Sequence, residues 1–115
     1  MTTRYEIADA VNAAAIPGVT AQPVVPDVHQ PGMAYPVWRQ AVPLASGFES
    51  SWDLYVVLPA GYSTATIDAA DPLVSSVGDA LLGVGVLTVV DTVSLATTPD
   101  GSAVMPALRF NLTTI

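Results

Sequence analysis

The side chains that can do chemistry are few in this sequence, and His29 is its only histidine. It lies two residues from Asp27, so in an extended segment both side chains point the same way and supply half of a metal site. A four-ligand zinc site needs further His or Cys ligands, and the chain has no cysteine. We therefore expect no metal site and predict that His29 is a solvent-exposed loop residue.

The hydroxyls and carboxylates with catalytic potential also have simpler explanations. Ser50-Ser51 and Ser75-Ser76 lack the glycine-flanked elbow and the histidine base that activate a serine nucleophile. Asp68 and Asp71 are a candidate acid–base pair, but acids are also favoured at a helix N-terminus by the helix dipole. Gly83-Val84-Gly85 follows a predicted helix, and a chain without lysine does not build the usual phosphate loop. The sequence predicts a protein without enzymatic activity or cofactor.

Composition and charge restrict the partners of the protein. Hydrophobic residues make up 51% of the chain and charged residues only 11%, whereas about a quarter of a typical domain is charged. An alanine-rich and valine-rich sequence is one explanation, and the other is that neighbouring subunits cover part of the surface. The formal net charge is −7, with three arginines and no lysine. This is too little positive charge to grip a nucleic acid backbone.

Length and apolar patterning indicate one domain made in the cytoplasm. Residues 1–115 are close to the commonest domain size, so we predict a single α+β domain. The N-terminus lacks the basic start and apolar stretch of a signal peptide, and without cysteine no oxidising compartment is needed. The longest nearly apolar stretch, Ala80 to Val90, is interrupted by glycines and is too short to span a bilayer. We expect no membrane association.

Two helices are predicted from caps and periodicity. Thr3 to Glu6 matches a capping box, and the apolar residues that follow at helical spacing end before Pro17-Gly18. The predicted apolar face of this helix is Ile7, Ala8, Val11, Ala14 and Ala15. Asp71-Pro72 is predicted to begin the second helix as N-cap and first-turn proline, and Thr64 to Ala70 can add a turn before it. Glycines after residue 82 end this helix.

Five strands are predicted around the two helices. In chain order they are Val19 to Val25, Ala34 to Val42, Phe48 to Leu58, Val86 to Leu95 and Val104 to Leu112. Pro23 and Pro26 favour an edge position for the first, while the clear alternation of the third favours a central one. Pro59-Ala60-Gly61 ends the third strand, and Thr98-Pro99-Asp100-Gly101 predicts a hairpin between the last two. The order α-β-β-β-α-β-β favours two helices on one face of a mostly antiparallel sheet.

Candidate interface residues lie in the polar loop from Asp27 to Met33 and in the strand after it. Trp38 and Arg39 place an aromatic residue beside an arginine, and both residue types are enriched in protein interfaces. We therefore predict subunit or partner contacts at Asp27, His29, Gln30, Trp38 and Arg39. The other interpretation places Trp38 in the core and leaves Arg39 solvated.

Several segments together resemble one known family. The N-terminal T-x-x-E helix, the loop Pro31 to Pro36, the strand Phe48 to Leu58 with the sequence FESSWDLYVVL, and the final hairpin resemble the tail terminator proteins of long-tailed actinobacterial phages, the siphophages. The resemblance covers nearly the whole chain. It implies a hexameric ring that caps the tail tube, stops its polymerisation and docks the head-side connector.

The resemblance also implies a location and partners. The protein would be made in the host cytoplasm and would lie at the tail–neck junction of the virion. Its partners would be copies of itself, the tail tube protein and a head-completion or connector protein. DNA would pass through the lumen, where a net negative charge lets it slide without binding. Two alternatives stay open: another neck, head-completion or tail subunit of the same particle, and a non-viral module that binds a small molecule in an apolar pocket.

Overall fold

The computed structural model of the chain describes residues 2–59, 64–96, 98 and 100–115, apart from the side chains of residues 64, 65 and 67. The elements are α1 (Arg4–Ala13), β1 (Thr20–Ala21), β2 (Met33–Leu44), β3 (Gly47–Val57), α2 (Thr64–Leu82), β4 (Val86–Ala96) and β5 (Val104–Thr114). They follow the predicted order and form an α+β fold, so the predicted fold class is confirmed. Within the described part of the chain, the helices are too short or too polar to cross a membrane.

The five strands form one sheet in the order β1-β2-β3-β5-β4, with the predicted central strand β3 in the middle. β1 pairs parallel with β2, and the other neighbours are antiparallel. Both helices cover the same face of the sheet, because α1 and α2 share one apolar cluster with β3 and β5. The buried residues of this helix-covered face include Leu54, Val56, Leu108, Phe110 and Leu112. The odd-numbered neighbours of these residues lie on the opposite, helix-free face.

Helix α1 begins where the sequence predicts. Thr3 is the N-cap, and its Oγ1 accepts a hydrogen bond of 3.4 Å from the backbone N–H of Glu6. The helix ends at Ala13, earlier than predicted, because Ala15 adopts a left-handed φ of 50°. Ala14 and Ala15 are therefore exposed, and their predicted place on the apolar face is wrong. The buried residues of α1 are Ile7, Ala8 and Val11.

Helix α2 begins at Thr64, so the predicted N-cap at Asp71 is wrong and Pro72 lies inside the helix. A proline in a helix interior costs about 3 kcal/mol because it removes one hydrogen bond and crowds the preceding turn. Before Pro72, the buried Thr66 donates a hydrogen bond of 3.4 Å from its hydroxyl to the Pro59 carbonyl oxygen, and Ala70 packs against the apolar core. These contacts offset part of that cost. Tertiary packing therefore continues the helix through a local stop signal.

The strand boundaries differ from those predicted in two places. Only Thr20–Ala21 of the predicted first strand is regular, although its edge position is confirmed. The turn between β2 and β3 is shorter than predicted, since β2 continues to Leu44 and β3 begins at Gly47. The β4–β5 hairpin is present. Pro99, a predicted residue of its turn, lies outside the described residues, as do Ala60 and Gly61 after β3.

Candidate subunit interface

The predicted interface residues in the loop before β2 surround a shallow surface depression. Asp27 and Gln30 line this depression of about 420 Å³ together with Val24 and Val25. The same two valines line a second depression of about 330 Å³, which Trp38 also borders. The structure therefore brings the loop and Trp38 together along one partly apolar surface. The sequence interpretation did not include the valines, whose position becomes evident only once the loop folds against β2.

His29 is half-buried, so its predicted exposure to solvent is wrong. Its Nε2 lies 3.0 Å from the Tyr35 hydroxyl, and the two rings meet edge to face at a centroid distance of 5.6 Å. The His29 Nδ1 is buried and has no hydrogen-bond partner among the described residues. Burial, followed by the nearby Tyr55, raises the pKa of Tyr35 to about 12. Because His29 belongs to the loop and Tyr35 to β2, their contact holds the loop against the sheet.

Trp38 and Arg39 point to opposite faces of the sheet, as neighbouring residues of a strand do. The β-bulge between Trp38 and Gln40 places Gln40 on the same face as Arg39. Trp38 pairs with Trp52 and is 54% exposed, so the alternative that placed it in the core is wrong. Arg39 turns to the helix-free face, where its Nε lies 2.9 Å from Oδ2 of Asp53. The two neighbouring residues therefore belong to different surfaces.

A polar network centred on Asp53 occupies the helix-free face. Asp53 is only 3% exposed, and its Oδ1 accepts a hydrogen bond of 3.0 Å from Asn111 Nδ2, while Oδ2 pairs with Arg39. Arg109 binds Asp91 through two bonds, with Nε 2.9 Å from Oδ1 and an Nη 2.5 Å from Oδ2. These bonds raise the pKa of Arg109. Each arginine of this face is thus neutralised by its own carboxylate.

The far end of the β2–β3 hairpin, residues 41–49, forms a projecting ribbon that we call the hairpin arm. β5 pairs with β3 only from Ser50 onward, and β1 pairs with β2 only at Met33 and Ala34. The strands of the arm therefore pair with each other alone. Its exposed large apolar residues are Val42, Leu44 and Phe48, with Trp38 just before its base. Val42 and Leu44 pair with Glu49 and Gly47 and lie on the helix-free face, whereas Phe48 lies on the same face as Trp38. Large apolar side chains exposed on both faces of a ribbon mark a protein interaction site.

The sequence interpretation did not include Val42, Leu44 and Phe48 among the candidate interface residues. Their alternation is the same as that of a strand that lies over a core. The distinguishing feature is the length of β5, which ends opposite Ser50 and leaves the arm uncovered. The register of β3 with β5 joins residues fifty or more positions apart, so no local signal could have shown it.

An apolar depression of about 380 Å³ lies between α2 and the turn after α1. Its lining includes Pro17, Val19, Pro31, Pro59, Pro72 and Leu73. Among its described lining residues none is charged, and Ser76 is the one with a polar side chain. The depression thus has the apolar lining that a small-molecule module needs, without the converging polar groups that orient a ligand.

The described residues were also considered as metal ligands and as nucleophiles. Of these residues, no three or more His, Cys, Asp or Glu side chains are grouped so that they could hold a metal ion. The Ser50 hydroxyl is buried, and the Ser51 hydroxyl accepts a hydrogen bond of 3.4 Å from Asn111 Nδ2.

No protein-family model matches this sequence, and a search of curated proteins finds no match.

Proposed function

We propose that this protein is a structural subunit that assembles with copies of itself into a ring, and that the ring is the tail terminator of a phage virion. The observation that carries the first part is the hairpin arm, with its exposed Val42, Leu44 and Phe48. The second part rests on the sequence resemblance. The proposal assigns no catalytic step to the chain.

The geometry of the arm suits a contact between neighbouring subunits. A two-stranded ribbon is only marginally stable by itself in water, and the arm exposes apolar side chains to solvent. Covering such side chains stabilises an assembly by roughly 25 cal/mol for each Å² of apolar surface removed from water. The molecule measures 46 × 31 × 21 Å, an elongated shape from which a projecting ribbon reaches a neighbour. A ring forms when such a head-to-tail contact closes on itself.

The charge distribution supports a ring through which DNA passes. The chain carries a formal net charge of −7, and two of its three arginines, Arg39 and Arg109, are bound to Asp53 and Asp91. Phosphate groups therefore meet no cluster of free cations on the helix-free face. A lumen of this kind conducts DNA without holding it.

In this proposal the ring lies at the tail–neck junction and has two partners besides itself. One side binds the end of the tail tube, which stops addition of further tube subunits. The other side binds a head-completion or connector protein. A neck or tail subunit of another kind would bind filled heads or other parts of the particle, and a small-molecule module would stay monomeric.

The test is the solution mass of the purified protein by light scattering across a concentration series, followed by electron microscopy with and without tail tubes. We expect rings of about six subunits, alone or on tube ends, as the symmetry of closed oligomers allows. Phe48→Lys should prevent ring formation, whereas Tyr5→Lys, an exposed aromatic residue on α1, should not. A wild-type chain that stays monomeric and ignores tubes would refute the proposal, and binding to filled heads would favour the neck alternative.

A further inference from the structure

The hairpin arm and the apolar depression between α2 and the turn after α1 lie at opposite ends of β3. This strand begins in the arm at Gly47 and ends at Val57, which lines the depression. At about 3.4 Å per residue, the two ends of the strand are about 34 Å apart. The arm of one molecule therefore does not reach the depression of the same molecule. We call this depression the end groove.

The end groove is bounded by apolar residues on two sides. On one side is the flank of α2 that carries Pro72 and Leu73, and on the other is the turn after α1, with Pro17 and Val19. Val57, at the end of β3, lies among the same lining residues. A segment that enters the groove would therefore be contacted on two sides by apolar residues, which favours a segment without a polar face.

The hairpin arm has the two apolar faces that such a groove requires. Val42 and Leu44 are exposed on the helix-free face of the arm, and Phe48 is exposed on the opposite face. An amphipathic segment would cover one side of the groove with apolar side chains and place polar ones against the other side. Polar groups buried without partners cost free energy, so the arm is the better match.

Charge separates the end groove from three other depressions on the described surface. Residues 41–48 of the arm contain no charged side chain, and the described lining of the end groove contains none. The other depressions are lined by Asp27, by Arg4, and by Arg39 together with Arg109. An apolar segment that covers a charged group removes water from it without supplying a partner. The uncharged arm therefore fits the end groove best.

We propose that the hairpin arm of one subunit inserts into the end groove of the next subunit. This inference rests on the ring of the proposed function and names the contact that joins its subunits. Each subunit offers one arm and one groove at opposite ends of β3, so the contact is head to tail, and a ring is complete when every groove holds an arm. A reciprocal contact between two arms would give a closed dimer and leave both grooves uncovered.

Two neighbouring serines of α2 provide a matched test. Both are exposed, but Ser76 lines the end groove, whereas Ser75 is not among its described lining residues. Ser76→Lys places a charge where the arm would lie, so light scattering should show the same loss of rings as for Phe48→Lys. Ser75→Lys adds the same charge to the same helix and should retain the rings. Circular dichroism of each variant checks that the chain is folded.

A second experiment tests the contact by cross-linking, for which the absence of cysteine is an advantage. Ser46, in the turn at the tip of the arm, and Ser76 are both exposed, so the double variant Ser46→Cys/Ser76→Cys can react with a short bis-maleimide. We expect a ladder of covalent oligomers on a denaturing gel. Each single variant should remain monomeric on the gel, because equal positions of neighbouring subunits would lie about one length of β3 apart.

The outcomes separate this contact from the ring itself. Equal effects of Ser76→Lys and Ser75→Lys, or rings of the double variant that give no ladder, would overturn the end groove as the acceptor and leave the ring in place. Covalent dimers of Ser46→Cys alone would indicate the reciprocal contact between arms and would also overturn it. A wild-type chain that stays monomeric with and without tail tubes would refute the ring, and this contact with it.

Discussion

The two edges of the sheet are built in opposite ways. At one edge β1 has only two residues, and the outer strand β2 contains Pro36 and Pro43 and a bulge at Arg39. A proline has no N–H, so it weakens the outer edge for any added strand. At the other edge β4 is long and free of proline. We call these the blocked edge and the free edge. The contrast indicates that the chain excludes pairing on one side and leaves it available on the other.

A comparison of three glycines tests how tightly each edge is built. A Cβ on Gly32, at the blocked edge, would lie 2.0 Å from the Gly18 carbonyl oxygen, and Gly32 has a φ of 88°. A Cβ on Gly85, beside the start of the free edge, would lie 2.3 Å from the Thr113 oxygen. We expect Gly32→Ala to lower the free energy of unfolding by about 3 kcal/mol or more and Gly85→Ala by about 2 kcal/mol.

Gly18→Ala is the control for that series, because Gly18 has a φ of 76° without a neighbour within 4 Å. It should lower the free energy of unfolding by about 1 kcal/mol, the cost of the left-handed backbone alone. Urea unfolding of the three variants gives the ranking. Equal losses for Gly32→Ala and Gly18→Ala would show that the close approach at the blocked edge does not exist.

The ion pairs near the two edges should differ in strength. Arg39→Met leaves the buried carboxylate of Asp53 without its cation, so we expect a loss of about 2 kcal/mol in the free energy of unfolding. Asp91 is already partly exposed, so water can solvate its carboxylate in Arg109→Met, and we expect a loss of about 0.5–1 kcal/mol in the free energy of unfolding. Thermal unfolding of the two matched variants measures the difference. A larger loss for Arg109→Met would show that the Arg109–Asp91 pair stabilises the fold more than the Arg39–Asp53 pair does.

The blocked edge should also respond to alkaline pH through Tyr35. Its pKa is raised from 10.0 to about 12 by burial and by Tyr55, whereas the unfolded chain ionises this group near 10. Its contribution to stability is therefore complete below pH 10 and is lost as the pH rises toward 12. Unfolding curves across this window should show the loss, and an ultraviolet titration should show one late tyrosine. A Tyr35→Phe variant that loses stability equally in this window would contradict the assignment.

The smallest effect is expected for removal of one proline from the blocked edge. Pro43→Ala restores a backbone donor on β2, and because Pro43 is exposed the free energy of unfolding should change by less than about 0.5 kcal/mol. The rate of aggregation should increase, because the outer edge of β2 becomes easier to extend. Pro17→Ala, at an exposed position outside the sheet, is the control. Light scattering during incubation compares the two, and equal rates would show that Pro43 does not protect the edge.

Local signals in the sequence predicted most of the elements but not their ends. The Thr3 cap depends on residues only three positions apart, so it was found correctly. The predicted start of α2 was wrong because Asp71-Pro72 is a strong local start signal, while the contacts of Thr66 with Pro59 and of Ala70 with the core extend the helix before it. Packing of this kind joins distant segments, and a local pattern does not contain it.

The surroundings of the candidate interface residues could be predicted only in part, for a similar reason. Trp38 is exposed, as an interface residue must be, but His29 is held by Tyr35 and Arg39 by Asp53. Alternation correctly places Trp38 and Arg39 on opposite faces, but it also predicts Val42 on the face of Trp38. The bulge at Arg39 moves Val42 to the other face, and it depends on the register with β3, which alternation does not specify. The exposed residues of the arm were missed because they have the pattern of a core strand.

The sequence by itself determined the number, type and order of the elements, since caps, alternation and turn residues act over a few neighbouring positions. Only the tertiary structure decided which edge is free, how far the hairpin arm projects and which flank of α2 is uncovered. These properties depend mainly on the pairing of β3 with β5, whose partners are distant in the chain. Burial is a property of the folded surface, so the residues available to a partner are known only when the strands have found their neighbours.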